Sequence, residues 1–382
     1  MDFSVSEEQH SLREGLIRFA RKELNNGVAE RDRDRSFPRD LWSKCGQMGL
    51  QGLPVPQSYG GSGLDSLSTA MALEALGYGC EDGGLVFAIS AHLLACVVPI
   101  WKHGTEQQRR RYLPGLCDGT LIGGGAMTEA GSGSDVFSLA TRATPDGEGF
   151  RLNGTKLFVS NGPVADVVIL YAMTDPQKGY HGGITAFVVE RGGRGFGTGQ
   201  TFEKMGLRTA PLGELVLDDV HVPQEAVLGG VGGGANLFLQ AMDWERVCLF
   251  AGHVGVMDRL LEKSIEYARA RTLSGKPIGK FQAVSHRIAD MKVQLEAARL
   301  LVYAAAWRLE RAKNVSLDAA MAKLFVSESL VKAALDAVQL HGGAGYMVES
   351  GLERALRDSV ASTIYSGTSE VQRNIIARWL GL

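Results

Sequence analysis

Hydrophobic positions recur at the spacing of an α-helix over the first 120 residues of the chain. Ser6 opens a capping-box sequence, and Leu12, Leu16 and Phe19 then follow at intervals of four and three, which places them on one helix face. The same spacing predicts further helices over residues 66–76, 84–98 and 103–116. This part of the chain is therefore predicted to be a helical domain.

The period of the pattern changes from about 3.6 to 2 near residue 121, which indicates β-strands. In a run from Phe150 to Phe158, Asn153 and Gly154 predict a hairpin, because this pair readily adopts the positive φ angles of a type I′ turn. We expect a compact β domain of about 100 residues here. Further strand-like runs cover residues 164–173, 183–190 and 214–222.

Helices are predicted again after a glycine-rich stretch, residues 228–234, which we interpret as a flexible boundary. Ser316 is expected to cap a helix that runs to about residue 340. One long apolar stripe alternates at intervals of three and four, and its alanines suit close packing in a core or at a subunit interface. The stripe comprises Ile288, Met291, Leu295, Ala298, Val302, Ala305 and Leu309.

The order of the elements predicts an α+β fold with an N-terminal helical domain, a middle β-barrel-like domain and a C-terminal four-helix bundle. We place these domains at residues 1–120, 121–235 and 236–382. Such an order excludes a sheet built from alternating βαβ units. Residues 230–235 resemble a loose dinucleotide-binding fingerprint, but no βαβ unit surrounds them, and we interpret them as a linker.

The charge balance argues against a large nucleic-acid-binding surface, since 40 basic and 42 acidic residues give a net charge of -2. Apolar residues at 45% and charged residues at 21% exclude a disordered chain.

The five cysteines show no CxxC spacing, which is typical of buried thiols in a reducing compartment. The eight histidines show no metal-binding spacing, and we expect no metal site.

The most apolar window, residues 85–101, is short for a membrane span and contains Ser90, His92 and Pro99. We interpret it as a buried core helix and expect no membrane span. The first residues are acidic and polar, unlike a signal or transit peptide. The expected location is the cytoplasm.

Four segments are unusually polar for their surroundings and are candidates for binding or catalysis. Residues 127–135 are rich in Gly and Ser, which exposes backbone N–H groups and hydroxyls to a phosphate or a polar heterocycle. Residues 156–162 form a predicted strand that ends in polar groups beside an aromatic residue. The other two segments are residues 339–346, after a helix, and residues 364–373, near the end of the chain.

Taken together and in order, these segments resemble the acyl-CoA dehydrogenase family. The motifs extend from about residue 120 to residue 373, and the helix–β–helix order covers the whole chain. A chance match to one motif is plausible, but a chance match to all of them at the right spacing is not. The motifs are TE-x-GSGSD from Thr128, NG-x-K-x-x-x-SN from Asn153, MGLR from Met205, FQ from Phe281, HGGAGY from His341 and GTSE-x-QR from Gly367.

The resemblance implies a noncovalently bound FAD, α,β-dehydrogenation of an acyl thioester, and a homotetramer. In that reaction a base removes the α-proton and N5 of the flavin accepts the β-hydride. FAD contacts within the chain are implied for Met127, Thr128, Gly133, Ser134, Phe158, Ser160, Thr368 and Glu370. Contacts to the FAD of a neighbouring subunit are implied for Arg271, Gln282, Gln339 and Gly343.

The catalytic base departs from the pattern of many family members, which carry a Glu where this chain has Ser366. A serine cannot serve as this base. The isovaleryl-CoA type carries its base in the first helix after the linker, and Glu245 matches that position. In isolation, a Glu beside an Arg at a helix start is more often an ion-pair partner. With Ser366 in place and the FAD motifs intact, we predict Glu245 as the base.

The surroundings of the base follow from the same resemblance. Burial is expected to raise the pKa of Glu245 towards neutrality. The backbone N–H of Ser366 and an FAD ribityl hydroxyl are the implied donors to the thioester oxygen. Substrate contacts are expected from Ser134, Arg246 and Tyr365, with Arg246 orienting either the helix or the substrate.

Other polar residues are expected to have structural roles. Glu129 is interpreted as part of its loop, Glu370 as facing the cofactor, His341 as a backbone hydrogen-bond partner and His92 as a core histidine. No His/Asp pattern accompanies the serines of the polar segments, which argues against a nucleophilic hydrolase. Ser274 stands where family members often carry an aromatic residue, and this change is expected to weaken packing against the cofactor.

The expected substrate is a short acyl or aminoacyl group on a carrier protein. Glu245, Ser366 and the C-terminal sequence resemble biosynthetic members such as the prolyl-carrier-protein dehydrogenases. A short branched-chain acyl-CoA dehydrogenase is the alternative, and a non-catalytic flavoprotein or scaffold is the rival from another class. Electrons are expected to pass to an electron-transfer flavoprotein or to O₂. Residues 85–98 are expected to form part of the wall of the acyl cavity.

Overall fold

A computed structural model describes residues 6–382 of the chain, so that residues 1–5 of the acidic start lie outside the described part. The first third is helical, as the spacing of its apolar residues predicts. Ser6 caps the first helix by accepting a hydrogen bond from the backbone N–H of Gln9 at 3.2 Å. The helices are α1 (Glu7–Glu23), α2 (Val28–Asp34), α3 (Arg39–Gln47), α4 (Ser66–Gly79), α5 (Gly83–His92), α6 (Val98–His103) and α7 (Glu106–Cys117).

Helices α5 and α6 form one continuous apolar segment through a π-helical stretch, Leu93–Val97. By length and composition the segment Gly83–His103 could cross a membrane, but 83% of its most apolar window is buried inside the protein. His92 is fully buried within it, accepts a hydrogen bond from the backbone N–H of Gly123 at 2.7 Å, and lies 2.9 Å from the carbonyl oxygen of Leu116. The prediction of a core helix with a satisfied core histidine is confirmed.

The middle of the chain forms a mixed sheet. Its strands are β1 (Gly123–Ala126), β2 (Arg142–Asp146), β3 (Gly149–Ser160), β4 (Val167–Met173), β5 (Ile184–Glu190), β6 (Phe196–Thr201), β7 (Leu212–Pro223) and β8 (Val227–Leu228), with a short helix α8 (Gly179–Gly183) before β5. Neighbouring strands follow the order β6-β7-β3-β2-β4-β5-β8, and β1 lies parallel to β4. The three predicted strand-like runs correspond to β4, β5 and β7.

Strand β4 is buried on both faces and joins the two apolar cores of the protein. Val168 and Leu170 point into the core of the β domain, whereas Ile169 and Tyr171 point into the core shared with the helices. This alternation follows from the two-residue period of a strand. It places Tyr171 on the side of the sheet that faces the helices.

The predicted hairpin at Asn153 and Gly154 is wrong. Strand β3 runs through both residues, and the turn lies instead at Gly147, between β2 and β3. The register of β3 against β7 shifts next to Gly154, whose φ is 148°, and the side-chain oxygen of Asn153 accepts a hydrogen bond from the backbone N–H of Asp219 at 2.8 Å. The pair therefore forms a bulge, in which the glycine has a positive φ.

The last third of the chain is a bundle of long helices. Helix α9 has 37 residues and is therefore about 55 Å long. The helices are α9 (Gly234–Ala270), α10 (Gln282–Arg308), α11 (Ser316–His341), α12 (Gly343–Tyr346), α13 (Leu352–Val360) and α14 (Ser369–Trp379), with a small hairpin of β9 (Thr272–Leu273) and β10 (Lys276–Pro277) after α9. The predicted stripe on α10 is confirmed, since Met291, Leu295, Ala298, Val302 and Ala305 are buried.

Ser316 is the first residue of α11 and not its cap, so this prediction is wrong. Its hydroxyl donates instead to Oδ2 of Asp243 at 3.0 Å, which ties the start of α11 to α9. The glycine-rich loop before α9 packs on α8 at Gly232, where a Cβ would lie 2.5 Å from the carbonyl oxygen of Gly182. No βαβ unit surrounds this loop in the described residues, and the exclusion of a dinucleotide-binding fingerprint is confirmed.

All five cysteines are buried and free. Burial raises the pKa of the Cys80 and Cys96 thiols to about 12, which keeps them protonated at neutral pH. This agrees with the prediction of buried thiols. The reducing compartment and the cytoplasmic location stay predictions.

Candidate active site

Glu245 lies about three turns into α9, with its side chain partly buried. The hydroxyl of Ser366 donates a hydrogen bond to its Oε1 atom. Burial raises the pKa of Glu245, although the Ser366 hydrogen bond and the charge of Arg246 act in the opposite direction. A carboxylate with a raised pKa is suited to accept a proton at neutral pH.

Arg246 points to the backbone that carries Ser366. Its Nε donates to the carbonyl oxygen of Ser366 at 3.1 Å, and the side chain of Gln372 donates to the same oxygen at 3.1 Å. Asp243 lies 3.9 Å from the guanidinium. Ser366 has a φ of 57°, and these contacts hold it in that left-handed conformation. Arg246 is buried and orients the Ser366 backbone, and its expected contact with the substrate stays a prediction.

Tyr365 is held by three residues for which the sequence analysis predicted no individual role. Its ring packs between Phe87, at 4.9 Å between centroids, and Phe250, at 5.8 Å. Its hydroxyl forms a hydrogen bond with Nε2 of His253. Burial, together with the charge of Lys323, lowers the pKa of His253 to about 3, so the ring is neutral at pH 7.

Tyr171 on β4 and Phe238 on α9 lie on another side of Glu245. Their rings meet edge to face at 5.5 Å, and the charge of Glu245 adds to burial in raising the pKa of Tyr171. Phe238 also meets Phe137 at 6.0 Å, and Phe137 stacks on Tyr180 at 4.9 Å. We call Phe137, Tyr171, Tyr180 and Phe238 the aromatic entrance. Phe238 precedes Glu245 by seven residues, a spacing that puts both on one helix face and could have revealed it.

The Gly/Ser-rich loop and the end of β3 lie side by side. The backbone N–H of Leu157 donates to the carbonyl oxygen of Thr128 at 2.8 Å, and Nζ of Lys156 donates to that of Met127 at 3.0 Å. Lys156 also forms a buried ion pair with Glu129 at 2.6 Å. Burial alone would raise the pKa of Glu129, but the hydrogen bond and charge of Lys156 outweigh it and lower that pKa. The structural role predicted for Glu129 is confirmed.

This edge of the β domain fits a flavin. Phe158 has a φ of 53° and presents its ring to solvent with 57% of the residue exposed, beside Phe202 at 5.1 Å. At Gly131 and Gly133 the space that a Cβ would fill is open. An exposed ring beside a loop of free backbone is suited to a heterocycle and its phosphates. Met127, Thr128, Phe158 and Ser160 are brought together here, with Gly133 and Ser134 on the adjoining loop.

Arg271, Gln282, Gln339 and Gly343 gather at the far end of the bundle, and all four are exposed. The ring of Tyr267, on the last turn of α9, stacks on His341 at 4.2 Å, which brings the ends of α9 and α11 together. Arg271 follows Glu245 by 26 residues, or about 39 Å along α9. These four residues are therefore remote from the Glu245 site of their own chain.

Ser274 and Gly275 form the two-residue turn of the β9–β10 hairpin, with φ angles of 50° and 78°. Both angles are those of a type I′ turn. Ser274 is exposed, close to Arg271 in sequence. The predicted effect of this serine on cofactor packing stays a prediction.

The C-terminal motif forms the start of α14. Thr368 caps this helix by accepting a hydrogen bond from the backbone N–H of Val371 at 3.3 Å. Glu370 lies exposed in the first turn, where its negative charge is attracted by the partial positive charge of the helix N-terminus. In the preceding glycine-rich motif, Nδ1 of His341 lies 2.8 Å from the carbonyl oxygen of Ala337, which is the backbone role predicted for it.

Three family models match successive parts of the chain. The acyl-CoA dehydrogenase N-terminal domain matches residues 6–120, the middle domain residues 124–220 and the C-terminal domain residues 232–381. The chain belongs to the acyl-CoA dehydrogenase family. The resemblance found in the motifs and the predicted helix–β–helix fold are both confirmed. The limits assigned to the domains from the sequence stay a prediction.

Relatives within the family are similar over their whole length. An L-prolyl-[peptidyl-carrier protein] dehydrogenase from Pseudomonas fluorescens is 43% identical over 383 residues and covers 100% of both chains. The crystal structure of the prolyl acyl carrier protein oxidase AnaB has a TM-score of 0.97 at 44% identity and covers 99% of this chain and 100% of that one. A structure of PigA with FAD and proline has a TM-score of 0.97 at 42% identity and covers 100% of both chains.

Proposed function

We propose that this chain is an FAD-dependent dehydrogenase that oxidises the α,β-bond of a short acyl or aminoacyl thioester carried by a carrier protein. The observation that carries the proposal is the position of Glu245. It is a carboxylate with a raised pKa, held by Ser366 and bordered by Tyr171 and Phe238. The chain therefore retains a candidate base although a serine stands at the position that many family members use.

Glu245 is the group that takes the α-proton. Its carboxylate must be ionised before the reaction and hold a proton afterwards, which favours a pKa above that of an exposed Glu. Burial provides this increase, and the Ser366 hydroxyl and Arg246 limit it by stabilising the ionised form. These opposing effects suit a base that works near neutral pH.

The thioester oxygen needs hydrogen-bond donors as negative charge develops on it. The backbone N–H of Ser366 donates to no carbonyl oxygen in the part of the chain that the structure describes. Arg246 and Gln372 fix the orientation of this peptide by binding the Ser366 carbonyl oxygen. We assign the Ser366 N–H as one donor to the substrate.

The cofactor site is assigned to the edge of the β domain. Met127, Thr128, Phe158 and Ser160 would hold the ring system, and Gly133 and Ser134 the adjoining phosphate region. When bound, FAD supplies the hydride acceptor that the dehydrogenation requires. The family membership and the exposed ring of Phe158 support this assignment.

The proposal includes a homotetramer, in which a neighbouring subunit completes each cofactor site. Arg271, Gln282, Gln339 and Gly343 lie too far along the bundle to reach the Glu245 site of their own chain. A second apolar stripe on α10 is distinct from the buried one and is available to bind another subunit. Its residues Val293, Leu300 and Trp307 are 68%, 52% and 51% exposed. Their spacing of seven residues puts them on one helix face, as in helix–helix interfaces.

The carrier-bound substrate is supported by the relatives that act on prolyl groups of carrier proteins. The rings of the aromatic entrance form a row from Tyr180, which is 42% exposed, through Phe137 and Phe238 to Tyr171. Such a row of aromatic side chains is suited to contact a pantetheine arm, which carrier proteins and CoA share. The reduced flavin passes its electrons either to an electron-transfer flavoprotein or to O₂.

Intact-mass measurement on a panel of thioesters tests the proposal. Purified holoenzyme is incubated with prolyl-carrier protein, butyryl-carrier protein and isovaleryl-CoA. We expect a loss of mass equal to two hydrogen atoms on a carrier-bound substrate.

A loss only on isovaleryl-CoA supports a branched-chain acyl-CoA dehydrogenase instead. A protein that cannot be loaded with FAD and alters none of the substrates is the expected result for a scaffold. Hydrogen peroxide formed in air, or its absence, distinguishes the two reoxidants.

A further inference from the structure

Helix α9 presents Glu245, Leu249 and His253 on one face, at intervals of four residues. Each interval advances about 6 Å along the helix axis. Glu245 is the proposed base, so the next two residues follow it on the same face towards the C-terminal end of α9. Leu249 is buried, and His253 is partly buried.

The segment of Tyr365 and Ser366 lies along this face of α9. The hydroxyl of Ser366 binds Glu245, and the hydroxyl of Tyr365 binds Nε2 of His253. Two consecutive residues are thus fixed to two points on α9 that are eight residues apart. The side chain of Tyr365 consequently extends along α9 from the neighbourhood of the base to His253.

Phe87 on α5 closes the wall from the opposite side. Its ring centroid lies 4.9 Å from that of Tyr365, at an interplanar angle of 45°. Phe250 supports Tyr365 from behind at 5.8 Å and meets His253 edge to face at 5.0 Å. Phe87 lies within residues 85–98, which the sequence reading expected to form part of the acyl cavity wall.

A cavity of about 50 Å³ lies beside Phe87 and His253, two of the residues that hold Tyr365. Phe87, Leu249, His253 and Val256 line its near part. Its far part is charged, with Arg259 donating to the carbonyl oxygen of Tyr78 at 3.1 Å. This volume exceeds the roughly 10–15 Å³ that one water molecule needs by the same measure, and the near part is apolar enough to accept a few carbon atoms.

We propose that His253 determines the acyl specificity of this site. We assign the space between Glu245 and Tyr365 to the acyl group and call it the acyl chamber. The hydrogen bond of His253 holds Tyr365 as the end wall of this chamber, which restricts the substrate to short, compact acyl groups. Removing the bond allows the Tyr365 ring to move and joins the chamber to the cavity behind it. The inference rests on the proposed function and specifies its substrate class. His253 is a positioning residue, because it acts through Tyr365.

The test compares butyryl and octanoyl thioesters on the same carrier protein. Wild-type holoenzyme is expected to prefer the butyryl thioester. His253→Ala both releases Tyr365 and enlarges the cavity, and Tyr365→Phe releases the ring alone. In both variants we expect the ratio of kcat/KM for octanoyl over butyryl to rise by about tenfold or more, mainly through a lower KM for octanoyl. His253→Gln retains a hydrogen-bonding side chain and is expected to restore most of the wild-type preference.

Two further variants separate this role from a general effect on folding. Phe87→Ala opens the wall from the opposite side without altering the His253–Tyr365 hydrogen bond, and it is expected to raise the same ratio. His221→Ala, at an exposed position on β7, is the matched control and should leave the ratio unchanged.

Failure of the inference and failure of the proposed function give different results. A wild-type enzyme that oxidises butyryl thioester, with a ratio that changes less than about twofold in His253→Ala, Tyr365→Phe and Phe87→Ala, overturns the specificity role and leaves the proposed function intact. A wild-type holoenzyme that oxidises none of the carrier-bound thioesters contradicts both.

Discussion

The hydroxyl of Ser366 donates a hydrogen bond of 2.5 Å to Oε1 of Glu245. Ser366 occupies the position where many members of the family carry the base. In this chain the serine instead contacts the candidate base on α9 and stabilises its ionised form. The exchange of roles between these two positions explains how the site can keep a base while Ser366 itself has no acid–base function.

Replacing Ser366 by Ala removes this hydrogen bond and should raise the pKa of Glu245 further above its usual value. The base must be ionised to act, so the ascending limb of the pH profile of kcat is expected to move to higher pH. At mildly acidic pH the activity should fall by roughly tenfold, the effect of a hydrogen bond to a charged group. Steady-state rates across the pH range measure this shift. Ser138→Ala, at an exposed position, is the control. An unmoved limb in Ser366→Ala contradicts the proposed tuning.

Replacing Lys156 by Met leaves the buried carboxylate of Glu129 without its partner. We expect a loss of about 3–5 kcal/mol in the free energy of unfolding, and less bound FAD because the adjoining loop carries the proposed cofactor residues. Adding Glu129→Gln should recover part of the lost stability. Urea unfolding and the flavin content per subunit measure both effects.

The control for Lys156 is Lys178→Met, which removes an exposed ion pair with Asp175. Its unfolding free energy should change by less than about 0.5 kcal/mol. Equal losses in the two variants are incompatible with a special role for the buried pair.

Asp358 should make the stability of the protein depend on pH. Burial, reinforced by the nearby Asp32 and Asp82 carboxylates, raises the pKa of Asp358 to about 7, although a hydrogen bond from Leu207 and the charge of Arg357 oppose this. The folded protein therefore keeps a proton that the unfolded chain loses near pH 4. This contribution to stability is complete below about pH 4 and is lost as the pH rises through about 7.

Asp358→Asn removes that dependence. At pH 8 the variant is expected to be more stable than the wild type by up to about 4 kcal/mol, and the advantage should vanish near pH 4. Thermal unfolding at the two pH values, with Asp290→Asn as an exposed control, measures the difference. A difference that is the same at both pH values shows that Asp358 titrates normally.

The exposed stripe on α10 should mediate subunit contacts. Leu300→Glu places a charge at its centre, between Val293 and Trp307, and is expected to produce smaller oligomers with less bound FAD. Light scattering coupled to size-exclusion chromatography gives the mass of the particle, and absorbance gives its flavin content. Met48→Glu changes an exposed apolar residue of the N-terminal domain and should alter neither quantity. An unchanged mass for Leu300→Glu rules out this face as the subunit interface.

The domain order could be predicted because apolar periodicity is a local pattern, and the resemblance to the family implied that Ser366 and Glu245 share one site. Prediction from the sequence failed at Asn153 and Gly154, where a bulge and a type I′ turn both use a positive φ. Only the pairing of β3 with β7 decides between the two structures. Choices of this kind depend on partners that are distant in sequence.

The group of residues around Tyr365, next to the candidate base, was predicted only in part for the same reason. Phe87, His253 and Tyr365 come from three elements, and none of them belongs to a motif that identifies its partners. The apolar segment around Phe87 was recognised, but its contact with Tyr365 depends on how α5, α9 and the loop before α14 pack together. Packing of this kind is a property of the folded chain.

Anaerobic reduction of bound FAD by prolyl-carrier protein in a Glu245→Gln variant tests the central claim most directly. Glutamine preserves the size of the side chain and can accept the Ser366 hydrogen bond, but it cannot take the α-proton. We predict that the variant keeps its FAD and that the rate of flavin bleaching falls by about 100-fold to 10,000-fold. Glu225→Gln, at an exposed position, should bleach like the wild type. A Glu245→Gln variant that retains FAD and bleaches at the wild-type rate contradicts the assignment of Glu245 as the base.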